Sequence, residues 1–125
     1  MMRLAVASLG FVVLAFGFGQ TPPAPKAPPK PPTKGFPAVA ALFKANCLPC
    51  HQGPRAAKFD VTTYEGIMKG GEHGKVVVPG KTDKSPLIAY LKGTKTPQMP
   101  MRRPPLKVDE IKTVSDWIAK GAKKG

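Results

Sequence analysis

A small, mostly α-helical single domain is the fold class this 125-residue sequence predicts. Three observations point there. Four stretches set apolar residues at helical spacing between Gly and Pro breaks, and no stretch alternates over the length of a strand. The only two cysteines lie three apart in Cys47-Leu48-Pro49-Cys50-His51, with a histidine directly behind them.

The elements follow in chain order. Residues 1–19 read as a targeting segment, with Arg3 ahead of an apolar run from Leu4 to Phe18 and small residues at Ala15, Gly17 and Gly19. The run falls a little short of the about 20 apolar residues that span a bilayer, which favours a cleaved signal over a retained anchor. No cysteine follows it, so a lipoprotein anchor is excluded. Residues 20–35 form a Pro/Lys-rich linker. Proline fixes φ and donates no amide proton, so this stretch forms a semi-extended spacer rather than a helix or sheet. Residues 36–125 are left for the folded domain.

Within that domain, Val39, Leu42 and Phe43 make one apolar stripe and predict a helix over 36–47, with Pro37 in its first turn and Cys47 in its last. Thr62 and Glu65 have capping-box spacing for a short helix over 63–69 that Gly70-Gly71 ends. Residues 70–80 read as a loop around a short extended Val76-Val77-Val78. Ser85-Pro86 opens a helix through Leu87, Ile88 and Leu91, closed by Gly93. Residues 94–107 hold four prolines with Met99 and Met101 and read as a stiff loop. Asp109 is the expected cap of the last helix, with Ile111, Val114, Trp117 and Ile118 on its apolar side and Gly121 at its end.

Charge narrows the partners. The net charge is +13; 16 of the 20 basic residues lie after residue 35 against 7 acids, leaving the domain at +9. A basic exported protein is drawn to acidic surfaces, whether an acidic redox protein, anionic lipid or a polyanionic wall. No basic helix carries interleaved aromatics, so nucleic acid is not an expected partner. A membrane is expected only if the N-terminal segment is retained.

The Cys-x-x-Cys-His motif carries the chemistry. Two thiols three positions apart can each join one vinyl group of a haem, and the adjacent imidazole can reach the iron as proximal ligand. Rival readings are a thioredoxin-like pair, half a zinc site or a bare disulfide. The first expects a βαβ context, which is missing. The second wants four ligands, and His73 is the only other histidine. The third leaves His51 unexplained. The expectation is therefore one covalently attached haem c held by Cys47 and Cys50, with His51 on the iron. The second nitrogen of His51 should donate to a backbone carbonyl.

For the opposite face of the iron, Met99 is the first candidate, because its proline-braced loop holds sulfur in place at low entropic cost. Met101 shares that loop. Met68, His73 and an open site complete the alternatives. His73 reads otherwise as a solvent-facing loop residue. Tyr64, Tyr90 and Trp117 are candidates to line the pocket, and Arg55, Lys75 and Lys81 to meet the haem carboxylates. Arg102 and Arg103 are candidates for partner docking.

The segments FKANCLPCH, GG-x-x-G with VVPGK-x-x-KSPLI-x-YL, QMP, and DEI-x-x-V-x-DWI-x-x-GA cover most of residues 40–122. In them the chain resembles the class I c-type cytochrome domain, in its planctomycete-type cytochrome c variant. The resemblance implies a small single-domain cytochrome c fold, its helices wrapped around one covalently attached haem, with Cys47 and Cys50 as thioether cysteines, His51 proximal and Met99 distal. The family often reads Met-Pro-Pro where this chain has Met99-Pro100-Met101, which keeps Met101 as a rival. The resemblance also implies that the helix ending at Cys47 crosses the last helix, with Phe43 and Trp117 as contacts. The implied role is an exported, periplasmic or extracytoplasmic electron carrier, not an enzyme. The alternative is a haem-based sensor or ligand-binding module with an open or labile distal site.

Overall fold

The computed structural model describes residue 30 and residues 32–125. The targeting segment and most of the linker expected over 1–35 lie outside the described residues. Four helices make up the regular structure: α1 (Gly35–Asn46), α2 (Tyr64–Lys69), α3 (Pro86–Lys92) and α4 (Val108–Ala119). Among the described residues there is no strand, only one isolated bridge between Gly71 and Gly74. No described helix is long and apolar enough to cross a membrane.

The core forms where α1 and α3 pack against α4. Val39 and Phe43 of α1, Ile88 and Leu91 of α3, and Val114, Trp117 and Ile118 of α4 are all buried, as the helical periodicity requires. The aromatic partner of Trp117 is Phe36, in the first turn of α1, with ring centroids 5.8 Å apart. Phe36 also meets Tyr64 edge-on at 5.1 Å. Phe43 is buried deeper in the same core. Trp117 Nε1 donates to the Lys123 carbonyl (2.8 Å) and the Tyr64 hydroxyl to that of Ala122 (2.9 Å). These bonds seat the C-terminal tail on α4 and α2.

The helix starts differ from expectation, and local hydrogen bonding explains each case. Thr63, not Thr62, caps α2, its hydroxyl accepting from the Gly66 amide at 3.0 Å. Thr62 is taken by Asp60, which accepts from both its amide (2.8 Å) and its hydroxyl (2.6 Å). These bonds, the hydroxyl's first, hold the Asp60 carboxyl below its usual range. Helix α4 begins one residue before Asp109, and the Glu110 carboxylate turns back to accept the Lys107 amide at 2.8 Å. Ser85 stands at the N-cap of α3, but its hydroxyl serves the preceding loop: it accepts from the Val78 amide (2.9 Å) and donates to the Lys81 carbonyl (2.8 Å). Val76–Val78 lie in the expected loop, and Val77 is buried as a core residue. The same loop is tied to α4 through Gly80 N–H to Ile118 O at 2.8 Å.

Truncating Phe43, 1% exposed, opens a cavity at the α1–α4 crossing. In chemical denaturation of the mature protein, Phe43→Ala is expected to lose about 3–5 kcal/mol of stability. Val108→Ser, at a residue 82% exposed, should stay within about 0.5 kcal/mol of wild type.

Candidate functional site

Helix α1 ends at the motif. Cys47 is its C-cap, donating its amide to Phe43 O at 2.8 Å, and the His51 amide closes a further turn on Cys47 O at 3.0 Å. The chain then loops out and returns. The Val61 amide donates to His51 O at 3.0 Å, and the ring of buried Phe59 meets the His51 imidazole edge-to-face, with centroids 5.5 Å apart. The imidazole is thereby wedged between its own turn and the returning strand of backbone.

A cavity of about 410 Å³ opens beside it, within the about 300–1,000 Å³ typical of small-molecule sites. Cys47, His51 and Phe59 form one wall. Leu87, Tyr90 and Leu91 form another, brought together by their i, i+3, i+4 spacing on α3. Met99 lies on the wall supplied by the proline-rich loop. Its amide donates to Tyr90 O at 3.0 Å, and its half-buried side chain packs on the core. The lining is predominantly apolar, so the cavity suits a large apolar group carrying few polar points.

Three of the four residues expected to hold the cofactor, Cys47, His51 and Met99, line this cavity; Cys50 is exposed at its margin. Met101 is 57% exposed and lines no wall, and Met68 packs against the core. Of the three aromatic candidates only Tyr90 lines the cavity; Trp117 and Tyr64 are engaged with Phe36 on the α1–α4 side. His73, read from the sequence as facing solvent, is exposed but lines the cavity as well. Its position on a tight Gly71–Gly74 turn carries no periodicity that would have placed it. Arg103 reaches back to the end of α1, its guanidinium donating to Ala45 O (3.3 Å) and Asn46 O (3.4 Å). A cation there complements the negative end of the helix.

The backbone carbonyl expected beyond His51 is not in place. Nδ1 is buried and has no hydrogen-bond partner. An unpaired buried nitrogen is costly, and here it belongs to an imidazole on the wall of an apolar cavity that a thioether, Met99, also lines. A haem, with a flat apolar body and an iron that takes nitrogen and sulfur ligands, fits this donor set. Among the described residues no group of three or more His, Cys, Asp or Glu is arranged to hold a metal ion directly, which leaves the zinc reading without ligands.

The two thiols differ. Burial pushes the Cys47 thiol up to about 11, against an opposing pull from the Arg103 guanidinium and with a further push from Cys50. A thiolate is the reactive form. In the haem-free chain at pH 8, iodoacetamide should therefore label exposed Cys50 well before Cys47. The gap should close as pH rises toward 11, where Cys47 ionises. Peptide mass mapping over a pH series reads both rates; equal labelling at pH 8 contradicts the assignment.

Residues 47–102 match the family model described as Planctomycete cytochrome C. The matched span runs from the first cysteine of the motif past Met99 and takes in every wall of the cavity. No curated protein and no solved structure matches the chain. The match supports a cytochrome c-type domain of the planctomycete type over these residues, and such a domain implies haem c as the cofactor.

Proposed function

We propose that this protein is an exported mono-haem c-type cytochrome that carries single electrons between redox partners. One observation carries the reading: Cys47 and His51 of the attachment motif and Met99 of the proline-rich loop line the same apolar cavity. In this reading the Cys47 and Cys50 thiols each add S–H across one vinyl group, forming two thioethers with no atom lost. His51 and Met99 would be the two residues that hold the iron. When bound, the haem supplies a one-electron Fe(II)/Fe(III) couple. The protein fixes both ligands, excludes water from the apolar walls and leaves no coordination position for a substrate.

The anchoring supports low reorganisation. His51 is held by its own turn and by Phe59, and Met99 through its amide bond to Tyr90. Neither ligand needs to move when the iron changes charge. The thioether would raise the potential of the couple, as suits a carrier accepting electrons from a reducing donor.

The apolar run near the N-terminus supports export, with the Pro/Lys-rich stretch as a spacer behind it. The mature domain would work in the periplasm or another extracytoplasmic space, with a membrane involved only if that run is kept as an anchor. The excess of basic residues supports redox partners with acidic docking surfaces.

Protein produced with a haem-attachment system should carry the mass of one haem and show a ferric sulfur-to-iron charge-transfer band in the far red. Met99→Ala should lose that band, lower the potential and bind carbon monoxide in the ferrous state; Met101→Ala should do none of these. Carbon monoxide binding by the untouched ferrous protein would instead support a sensor with a labile distal site.

Electron exchange with an acidic redox protein should slow steeply with salt. The screening length falls from about 30 Å at 0.01 M to about 3 Å at 1 M ionic strength. Stopped-flow rates that do not change with salt would reject acidic docking.

A further inference from the structure

We propose that Arg103 is a positioning residue: it fastens the loop carrying Met99 to the end of the helix carrying the attachment motif, and so keeps the thioether at the cofactor cavity. This deepens the haem reading above and rests on it.

The loop over 94–107 hangs from α3 on one side. The Thr94 and Lys95 amides donate to Ala89 O at 3.0 and 3.2 Å, and the Met99 amide donates to Tyr90 O at 3.0 Å. Gln98 lies against the glycine that ends α3, where an added Cβ on Gly93 would come within 2.9 Å of the Gln98 carboxamide carbon. All of these ties lie at Met99 or before it. The next firm hold is Leu106, buried in the core. Between them, over residues 100–105, the only hydrogen bonds to the rest of the domain among the described residues come from Arg103. Its Nη1 donates to Ala45 O at 3.3 Å and to Asn46 O at 3.4 Å.

The end of α1 is a suitable place to fasten a cation. The last carbonyls of a helix lack partners within it and carry the negative end of its dipole. Several carbonyls around this end are already used: Leu42 O by Asn46 Nδ2, Phe43 O by the Cys47 amide and Cys47 O by the His51 amide. Those of Ala45 and Asn46 take the guanidinium, whose Nη1 has two hydrogens to share. The same group stands close enough to pull the Cys47 thiol down against the effect of burial. One side chain of the Met99 loop thus reaches the helix end from which Cys47 follows.

The backbone next to it is strained. Arg102 has φ +60°, in the left-handed region that residues other than glycine seldom enter. Such a conformation persists where its surroundings determine it. The bonds of Arg103 to α1 fix the chain immediately after this bend.

Without Arg103 the loop would hang from α3 alone until Leu106. The attachment motif would be untouched, but the thioether would be easier to displace. Arg103 therefore sets how firmly the distal position is closed, which is the property that separates an electron carrier from a ligand-binding module.

The test is displacement of the thioether by added imidazole in the mature, haem-loaded ferric full chain, read as loss of the far-red band at one fixed pH. The variants are Arg103→Ala, Arg103→Lys and Arg102→Ala. Arg103→Ala should lose half the band at an imidazole concentration about tenfold below that of wild type, the scale of one hydrogen bond from a charged group. Arg103→Lys keeps a cationic donor and should recover part of that shift. Arg102→Ala removes the same charge from the same loop but none of these bonds, and should titrate like wild type. Far-UV circular dichroism checks that each variant stays folded throughout. Should Arg103→Ala fail to mature, Arg103→Gln, which removes the charge with a smaller truncation, is expected to shift in the same direction. Arg103 variants that titrate like wild type, or an Arg102→Ala shift as large as that of Arg103→Ala, overturn the proposal alone. A wild-type protein without covalent haem or the far-red band overturns the reading beneath it.

Discussion

The apolar cavity between the end of α1 and the Met99 loop is the constraint around which the domain is arranged. About 90 residues can bury only a thin core, and this chain spends part of its apolar side chains on cavity walls instead of packing them together. Leu87 and Leu91 are buried and also face the cavity. Apolar surface left against water forfeits about 25 cal/mol per Å², so walls of this kind are stable only around a group that covers them. Whatever binds the folded chain there and not the unfolded one would therefore stabilise the fold.

The covalent motif answers the same constraint from the other direction. Two thioethers would hold the cofactor to the chain whether or not the cavity is well formed, so the small core need not supply the affinity. The burden left to the fold is positional: to bring an imidazole and a thioether to the walls of one cavity. Short-range bonds achieve this. His51 is set by a single turn closing on Cys47, and Met99 by one amide bond to the end of α3. Helix α4 supplies no residue to the cavity lining, and it packs against both α1 and α3. That division agrees with a family match that ends before α4 begins.

Much of this was legible in the sequence, and the part that was not has a common cause. The four helices emerged from periodicity and from Gly and Pro punctuation, because burial on α4 enforces the 3.6-residue repeat. The cavity-lining set Cys47, His51 and Met99 emerged from a motif and a stiff loop. The caps did not. Asp60, Ser85 and Glu110 each have two or more backbone groups within reach, and their choice is made by loop geometry that spacing does not encode. His73, read as a solvent-facing loop residue with iron ligation as an alternative, is exposed; its place on the cavity wall follows from the glycine turn and not from any repeat that spacing could reveal. The partner of Trp117 was misjudged because Phe36 and Phe43 lie two turns apart on α1, and tertiary packing alone selects between their rings.

The cations illustrate how far bulk charge can mislead. Arg103 looked like part of a docking surface, yet its guanidinium lies against the last carbonyls of α1, where it also acts on the Cys47 thiol. Lys124 is held by Glu65 at 2.6 Å and Lys112 by Asp116 at 2.7 Å. These pairs are exposed and contribute little to stability, but they subtract from the charge a partner would meet. Arg102 is exposed beside the Met99 loop and has no ion pair among the described residues. An acidic partner approaching the cavity mouth would therefore meet Arg102 more directly than Arg103. The field at the cavity mouth depends on where the unpaired cations sit as well as on the total of +13.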